Sequence, residues 1–380
     1  MENHPLVEEF MDLVRVGASS GDERGIADRL RLKLEEIGFQ VKEDDAAQGF
    51  IPYDGKPGNC GNLIGVLEGE LPGSILFTSH MDRVSNGYNV NPSVRDGKVV
   101  TDGKTILAAD DLSGAMAIID GMRRLKKSGK KLPRIEVLFC VGEEKCLLGS
   151  SVVDCSQFQS KLGFALDSPG RIGRVIKAAP SRALLVCEVF GKPAHAGNEP
   201  ENGINAVTVL GKILAGIRDG RLDPESTANF SQLSVGNPSA NIVQEYAKVE
   251  GETRSLDTRK VEEYIQYFHE YCQKAAEGTG ATIKTHADIQ FASFDYPMDS
   301  QTIQLCQKVF GEMGIEMNPV RMGGGMDANN LYSRGGIECV GLATGYANNH
   351  TVNETLEIED FLRSGEMVER LVLAYAASQQ

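Results

Sequence analysis

Imidazoles and carboxylates recur in this chain at the ends of short apolar runs. Ser74-Ile75-Leu76-Phe77-Thr78-Ser79 runs into His80 and Asp82, and Ile135-Glu136-Val137-Leu138-Phe139-Cys140-Val141 runs into Glu143 and Glu144. Leu162-Gly163-Phe164-Ala165-Leu166 runs into Asp167, and Cys339-Val340-Gly341-Leu342-Ala343 leads through a Gly/Asn loop to His350. Apolar runs of this length, bounded by turn residues, are predicted to be buried strands of an α/β sheet. Open α/β sheets bind their ligands just outside the carboxyl ends of the strands. The chain is therefore expected to bring nitrogen and oxygen donors to one edge of one sheet, where they suit a divalent metal.

Taken singly, each motif is ordinary. In His80-x-Asp82 the two side chains share a strand face, so Asp82 is placed to hold the imidazole as outer carboxylates do for metal-bound histidines. Glu143-Glu144 differs from Glu8-Glu9, Glu35-Glu36 and Glu262-Glu263, which fall in amphipathic helices. Adjacent carboxylates after a buried strand repel unless a cation compensates them. A division of labour follows, one glutamate as ligand and the other as general base. Asp110-Asp111 opens a helix, where aspartate is a common cap and the dipole favours negative charge. Asp167-Ser168-Pro169-Gly170 has the composition of a turn. His195, in Lys192-Pro193-Ala194-His195-Ala196-Gly197, falls away from the sheet edge, in a loop. Gly323-Gly324-Gly325-Met326-Asp327 is not followed by Gly-Lys-Ser/Thr, which excludes a P-loop.

The elements that must position these residues divide into two textures. Helices are predicted at about 5–17 and 23–38, then a Gly- and Pro-rich stretch from Gly49 to Gly61, then strands near 62–68 and 74–80. A helix runs from Asp110 to about Lys127, followed by strands near 135–141 and 162–166. From about Arg182, strands Ala183–Phe190, Ala228–Val235, Ala247–Arg254 and Ile283–Phe291 interleave with helices near 202–218 and 258–277. That order is ferredoxin-like. The first texture then returns, with helices near 300–313 and 358–377. The expected organisation is a catalytic domain of residues 1–180 and 294–380 interrupted by an inserted domain of residues 181–293.

At 380 residues two domains are the natural expectation. The net charge of −14 argues against nucleic acid or an anionic membrane as partner. No apolar stretch approaches the roughly 20 residues needed to span a bilayer. Met1-Glu2-Asn3-His4-Pro5 has neither the basic start nor the apolar core of a secretory signal, so a cytoplasmic setting is expected. The eight cysteines contain no C-x-x-C pair and are expected to be reduced thiols.

In order along the chain, Ser79-His80-Met81-Asp82, Ala109-Asp110-Asp111, Gly142-Glu143-Glu144, Ala165-Leu166-Asp167 and Ala194-His195-Ala196-Gly197 resemble the M20 metallopeptidase family, and within it the peptidase T-like group. Asn241-Ile242-Val243, Gly251-Glu252-Thr253-Arg254-Ser255, Gly323-Gly324-Gly325-Met326-Asp327-Ala328-Asn329 and Asn349-His350-Thr351 complete the match over nearly the whole chain. The resemblance implies a zinc-exopeptidase-like catalytic domain, with a mixed central sheet flanked by helices, and an inserted ferredoxin-like lid that also serves dimerisation. It implies two divalent ions per chain, zinc by preference with cobalt or manganese as substitutes. His80 and Asp167 would hold one, Glu144 and His350 the other, and Asp110 would bridge them. Asp82 would orient His80, and Glu143 would take the proton from a metal-bridging water. Asp111 is left as a helix-start acid. His195, Asn241, Arg254 and Gly324 would contact a short peptide substrate, and a homodimer would form through the lid. The implied activity is that of an aminopeptidase on tripeptides. N-acyl amino acid deacylase, dipeptidase and carboxypeptidase are the alternatives within the family, and a non-catalytic peptide binder the alternative outside it.

Four positions depart from the resemblance. Arg83 stands where threonine is common, Leu112 where lysine is frequent, and Lys145-Cys146 where an apolar residue and glycine are usual. Arg83 and Lys145 are expected to add positive charge near the site and to favour acidic substrates.

Overall fold

The computed structural model describes residues 4–45, 57–84, 86–237 and 239–379; residues 1–3, and residues 49–56 of the Gly- and Pro-rich stretch, lie outside them. The chain divides into two compact units, Met1–Ala179 with Asp295–Gln380, and Pro180–Phe294.

The first unit is built on a mixed sheet. Strand Ser74–His80 runs parallel to Arg134–Cys140 on one side and to Leu162–Ser168 on the other, and Glu338–Ala343 continues in parallel beside Leu162–Ser168. Antiparallel strands flank this group: Leu63–Leu67 and Gln40–Glu43 beyond Arg134–Cys140, and Arg174–Ala179 beyond Glu338–Ala343. Every residue of Ser74–His80 is buried, as expected of a parallel strand covered on both faces. This is the α/β class expected from the sequence. Parallel pairing has a direct consequence for function, since residues 80, 140, 168 and 343 end their strands at one edge.

Helix Ala109–Ser128 packs on Ser74–His80 and Leu162–Ser168, and helix Ile358–Ser378 packs against it. Gly114 allows the first of these contacts. A Cβ there would lie 2.5 Å from the Leu166 carbonyl oxygen and 2.4 Å from Asp111 Oδ1. Gly114→Ala is therefore expected to destabilise the fold by about 1–3 kcal/mol, the usual cost of overpacking. Chemical denaturation would measure it, and an unchanged midpoint would show that the helix start yields freely.

A small second sheet was not legible in the sequence. It joins Ser93–Arg95, Lys98–Val100, Thr355–Glu357 and Tyr346–Ala347, strands too short to show a period. Its pairs Tyr346 with Leu356 and Ala347 with Thr355 close the loop that carries His350.

The second unit is a five-stranded antiparallel sheet in the order Gly220–Asp223, Ser226–Val235, Tyr246–Ser255, Ser181–Phe190, Thr282–Phe291, with helices Ala206–Gly216 and Thr258–Ala275. Its four long strands and two helices have the ferredoxin-like order; the short strand Gly220–Asp223 is an addition. Strand Ser181–Phe190 alternates buried and half-buried residues, and its inner face, Leu185, Cys187 and Val189, packs with Val209, Ile213 and Phe268. None of the eight cysteines forms a disulfide.

Candidate metal centre

Four of the expected ligands arrive from the sheet edge or the loops beyond it. His80 ends its strand, Glu144 follows strand Arg134–Cys140 in the next loop, Asp167 is the penultimate residue of Leu162–Ser168, and His350 lies in the loop closed by the small sheet. The fifth, Asp110, comes from the start of helix Ala109–Ser128. There Asp110 (φ −80°, ψ 104°) and Asp111 (φ −119°, ψ 29°) are both non-helical, and the peptide between them is cis. Regular helix geometry therefore begins only after Asp111, and neither aspartate makes a capping bond: both Asp111 oxygens lack a hydrogen-bond partner, and those of Asp110 face His80, His350 and Asn349.

Asp110 stands at the middle of the cluster. Its Oδ1 lies 3.2 Å from His80 Nε2, and its Oδ2 lies 3.1 Å from His350 Nε2. Glu144 Oε1 is 2.8 Å from the same His350 nitrogen. Two triads follow in which candidate donor atoms lie within 4.8 Å of one another: His80, Asp110 and Asp167, and Asp110, Glu144 and His350. A third group of the same compactness joins His80, Glu143 and Glu144. Glu143 Oε2 is 3.9 Å from His80 Nε2.

The electrostatics fit a cation. Burial, reinforced by neighbouring carboxylates, pushes Glu143 and Asp111 well above the usual carboxylate range and Asp167 up to about 7. Burial also raises Glu144, against a hydrogen bond with His350. Asp110 goes the other way, because bonds with His350 and His80 outweigh its burial. Its partner His350 is drawn up to about 10 by Asp110 and Glu144. Fully ionised, these carboxylates would carry more negative charge than two imidazoles balance. Divalent ions relieve that repulsion, and imidazole with carboxylate is the donor set that zinc prefers in open sites. Asp111, buried with both carboxylate oxygens unpartnered, belongs to none of the three groups.

Asp82 supports the cluster from below. His80 Nδ1 lies 3.1 Å from the Asp82 carbonyl and 3.4 Å from its Oδ1, which fixes the proton on Nδ1 and turns the Nε2 lone pair toward Asp110. The same carboxylate accepts the N–H groups of Glu143 (2.9 Å) and Glu144 (3.2 Å) and the Ser20 hydroxyl (2.6 Å). Ser20 was not singled out in the sequence. Nor were Asn349, whose Nδ2 donates to Asp110 Oδ2 at 2.7 Å, and Tyr346, whose hydroxyl donates to Asp167 Oδ1 at 3.1 Å. Asn349 stands inside the quoted Asn349-His350-Thr351 motif and Tyr346 shortly before it, while Ser20, 62 positions from Asp82, carried no such signal.

Glu23 was also missed. Its Oε1 accepts the N–H groups of Gly21 (2.9 Å) and Gly142 (3.0 Å), bracing the glutamate loop, while its Oε2 is buried without a partner. Burial, with Asp82 nearby, pushes its carboxyl up to about 8. A carboxyl raised on folding contributes stability that is fully present below its unfolded value near 4.5 and is lost as pH rises through about 8. Glu23→Gln is therefore expected to flatten the fall of Tm between pH 5 and 8 and to raise Tm at pH 8. Thermal melts across that range would detect this; parallel curves for the two proteins would refute it.

The remaining expected residues are spread over both units. His195 and Asn241 meet in the second unit, where His195 pairs with Ile242 and the Ala196 N–H donates to the Asn241 carbonyl at 2.9 Å. His195 Nδ1 accepts the N–H groups of Gly197 and Asn198, both at 3.2 Å, which leaves the proton on Nε2. Arg254 lies near the far end of strand Tyr246–Ser255, ~27 Å along the strand from Tyr246, and its guanidinium pairs with Glu252 at 2.7 Å. Gly324 lies in the bend between strand Asn318–Arg321 and helix Asp327–Gly335 of the first unit. Arg83 corrects an expectation. It is 1% exposed, and its Nη1 donates to the carbonyls of Val14 and Gly87, each at 3.0 Å. A guanidinium enclosed in this way is an internal brace and presents no charge to a substrate.

Comparison with known proteins agrees with the geometry. Residues 182–280 match the peptidase dimerisation domain of the M20 family, and residues 62–175 match peptidase family M28. The chain is 37% identical to the Bacillus subtilis uncharacterized protein YqjE over 97% of both chains. It is 34% identical to the aminopeptidase PepT from Bacillus cereus, with a TM-score of 0.87 over 98% of both chains. A Staphylococcus aureus tripeptidase gives 28% identity and a TM-score of 0.89, again over 98% of both. The chain belongs to the M20 family and is a metallopeptidase. Within the family it falls in the peptidase T-like group. Among the described residues, no helix is long and apolar enough to cross a membrane.

Proposed function

We propose that this metallopeptidase is a two-metal aminopeptidase that removes the amino-terminal residue from short peptides, tripeptides above all. The observation that carries the reading is the division of the Asp110 oxygens between His80 and His350, since a shared carboxylate makes two adjacent triads one centre. His80, Asp110 and Asp167 would hold one ion, and Asp110, Glu144 and His350 the other. Zinc is the expected metal, with cobalt or manganese able to occupy the same donors. When bound, such a pair lowers the pKa of water and polarises the scissile carbonyl.

The protein's own groups do the proton work. Glu143 lies beside both triads, its backbone held by Asp82. Its carboxylate would accept a proton from the attacking water and pass it to the leaving amine. A base raised above the ordinary carboxylate range suits transfer near neutral pH, and burial raises Glu143 in that sense. In the second unit His195, with its proton on Nε2, is suited to donate to the oxygen of the reacting carbonyl. Asn241, Arg254 and Gly324 are assigned to substrate contact. For Arg254 that role requires its pairing with Glu252 to be exchanged or shared.

The second unit is also proposed as a lid and dimer contact, within a cytoplasmic homodimer. Strand Ser226–Val235 is paired by Gly220–Asp223 only at residues 226–228, so residues 229–235 leave an edge with no partner strand among the described residues. Leu233 (62%) and Val235 (50%) are exposed along it. An apolar open edge favours pairing with a second chain. A panel of free-amine tripeptides, dipeptides and N-acetylated amino acids tests the activity. Release of the amino-terminal residue from free-amine tripeptides is expected. Cleavage confined to acylated substrates, or release of the carboxyl-terminal residue, would replace this reading with a deacylase or a carboxypeptidase.

A further inference from the structure

Glu354 belongs to neither triad, yet it is 1% exposed and fully engaged. Its Oε2 accepts the N–H groups of Leu107 (2.8 Å) and Ala108 (2.9 Å), and its Oε1 accepts that of Asp110 (3.0 Å). The receiving backbone forms an anion-binding concavity, because Ala108 is left-handed (φ 63°, ψ 33°) and turns neighbouring N–H groups toward one point. The carboxylate thereby binds the backbone that leads into helix Ala109–Ser128, ahead of its regular part.

Glu354 also closes the loop that presents His350. That loop contains two left-handed residues other than glycine, Asn348 (φ 56°) and His350 (φ 64°). Such conformations persist only where surrounding contacts hold them. The small sheet holds the loop's two ends, and Glu354, the last residue of the loop, ties it to the segment that leads into Asp110. One side chain therefore ties together the two backbones that carry Asp110 and His350, through bonds made entirely by the protein.

We propose that Glu354 is a positioning residue that fixes Asp110 relative to His350 and so preorganises the metal site formed by Asp110, Glu144 and His350. The inference rests on the two-metal reading above. The chemistry calls for a carboxylate, since three N–H donors converge on two acceptor oxygens. A glutamine must turn its NH2 toward Asp110 or toward the Leu107/Ala108 pair, and an aspartate is one methylene short. Burial and backbone bonding alone would make Glu354 a structural residue. Its position between the two ligand segments makes metal affinity the distinguishing readout.

Titration of Zn2+ into the metal-free full chain, with zinc content per chain and Tm measured alongside, tests the proposal in wild type and Glu354→Gln. Wild type is expected to take up two ions. Glu354→Gln should bind the ion of the Asp110, Glu144 and His350 site about 10–100-fold more weakly, the loss typical of removing a group that orients a ligand, and lose less at the site that Asp110 shares with His80 and Asp167. If Glu354→Gln fails to fold, Glu354→Asp, which keeps the charge but shortens the reach, carries the same expectation. A lowered Tm with both affinities intact would overturn the positioning role alone. Uptake of fewer than two ions by wild type would overturn the two-metal reading and this inference with it.

Discussion

Glu143→Gln is expected to lower kcat by about 10²–10⁴-fold, the usual worth of a positioned general base, with zinc content and fold unchanged. The substitution keeps size and polarity and removes only the capacity to take a proton. Glu143 is held in place by its backbone, through Asp82 Oδ1 at 2.9 Å, so the loop geometry does not depend on its charge. Its side chain lies 3.9 Å from His80 Nε2 and outside the two triads that share Asp110. Steady-state kinetics paired with metal content per chain decide the matter. Loss of metal with activity would make Glu143 a ligand in the group it forms with His80 and Glu144, and full activity would remove it from the chemistry.

Asp110→Ala is expected to abolish measurable turnover by releasing both ions, whereas Asp167→Ala and His350→Ala should each release chiefly one. The difference follows from geometry. Asp110 faces His80 through one oxygen and His350 through the other, while Asp167 and His350 each enter only one of the two triads. The loss at each site should exceed the roughly 10–100-fold that removal of an outer partner costs. Metal content after dialysis, with circular dichroism as the control for folding, provides the measurement. An Asp110→Ala protein that keeps one ion at parental affinity would show that the two triads do not share this carboxylate. Chelation of the wild type should likewise abolish activity, and added metal should restore it.

Much of the centre was legible before any coordinates because buried parallel strands write themselves in sequence. Ser74–His80 and Leu162–Ser168 are apolar on both faces, since both are covered. The polar residues that end them stand out for that reason. Asp110 was visible only through motif order, because two aspartates at a helix start have an ordinary reading as caps. The structure removes that reading: the two aspartates are non-helical, and neither carboxylate makes a capping bond. The expectation for Arg83 fails because nearness in sequence to His80 is not nearness of its charge to the site. One residue past Asp82 the chain has turned, and the guanidinium reaches the carbonyls of Val14 and Gly87 instead.

Local pattern and motif order were enough for the α/β class, the ferredoxin-like insertion and the donor types at the sheet edge. Each depends on residues close along the chain, where periodicity and turn chemistry operate. Which carboxylate meets which imidazole is a tertiary matter. Asp110 reaches His350 and Asn349 across some 240 positions of sequence, and Glu354 reaches back to Leu107, Ala108 and Asp110 over a similar span. Those meetings depend on the order of strands in the sheet and on a small sheet of two- and three-residue strands, features with no period to read. Motif residues could therefore be named from sequence, while the side chains that hold them in register emerged only from the folded chain.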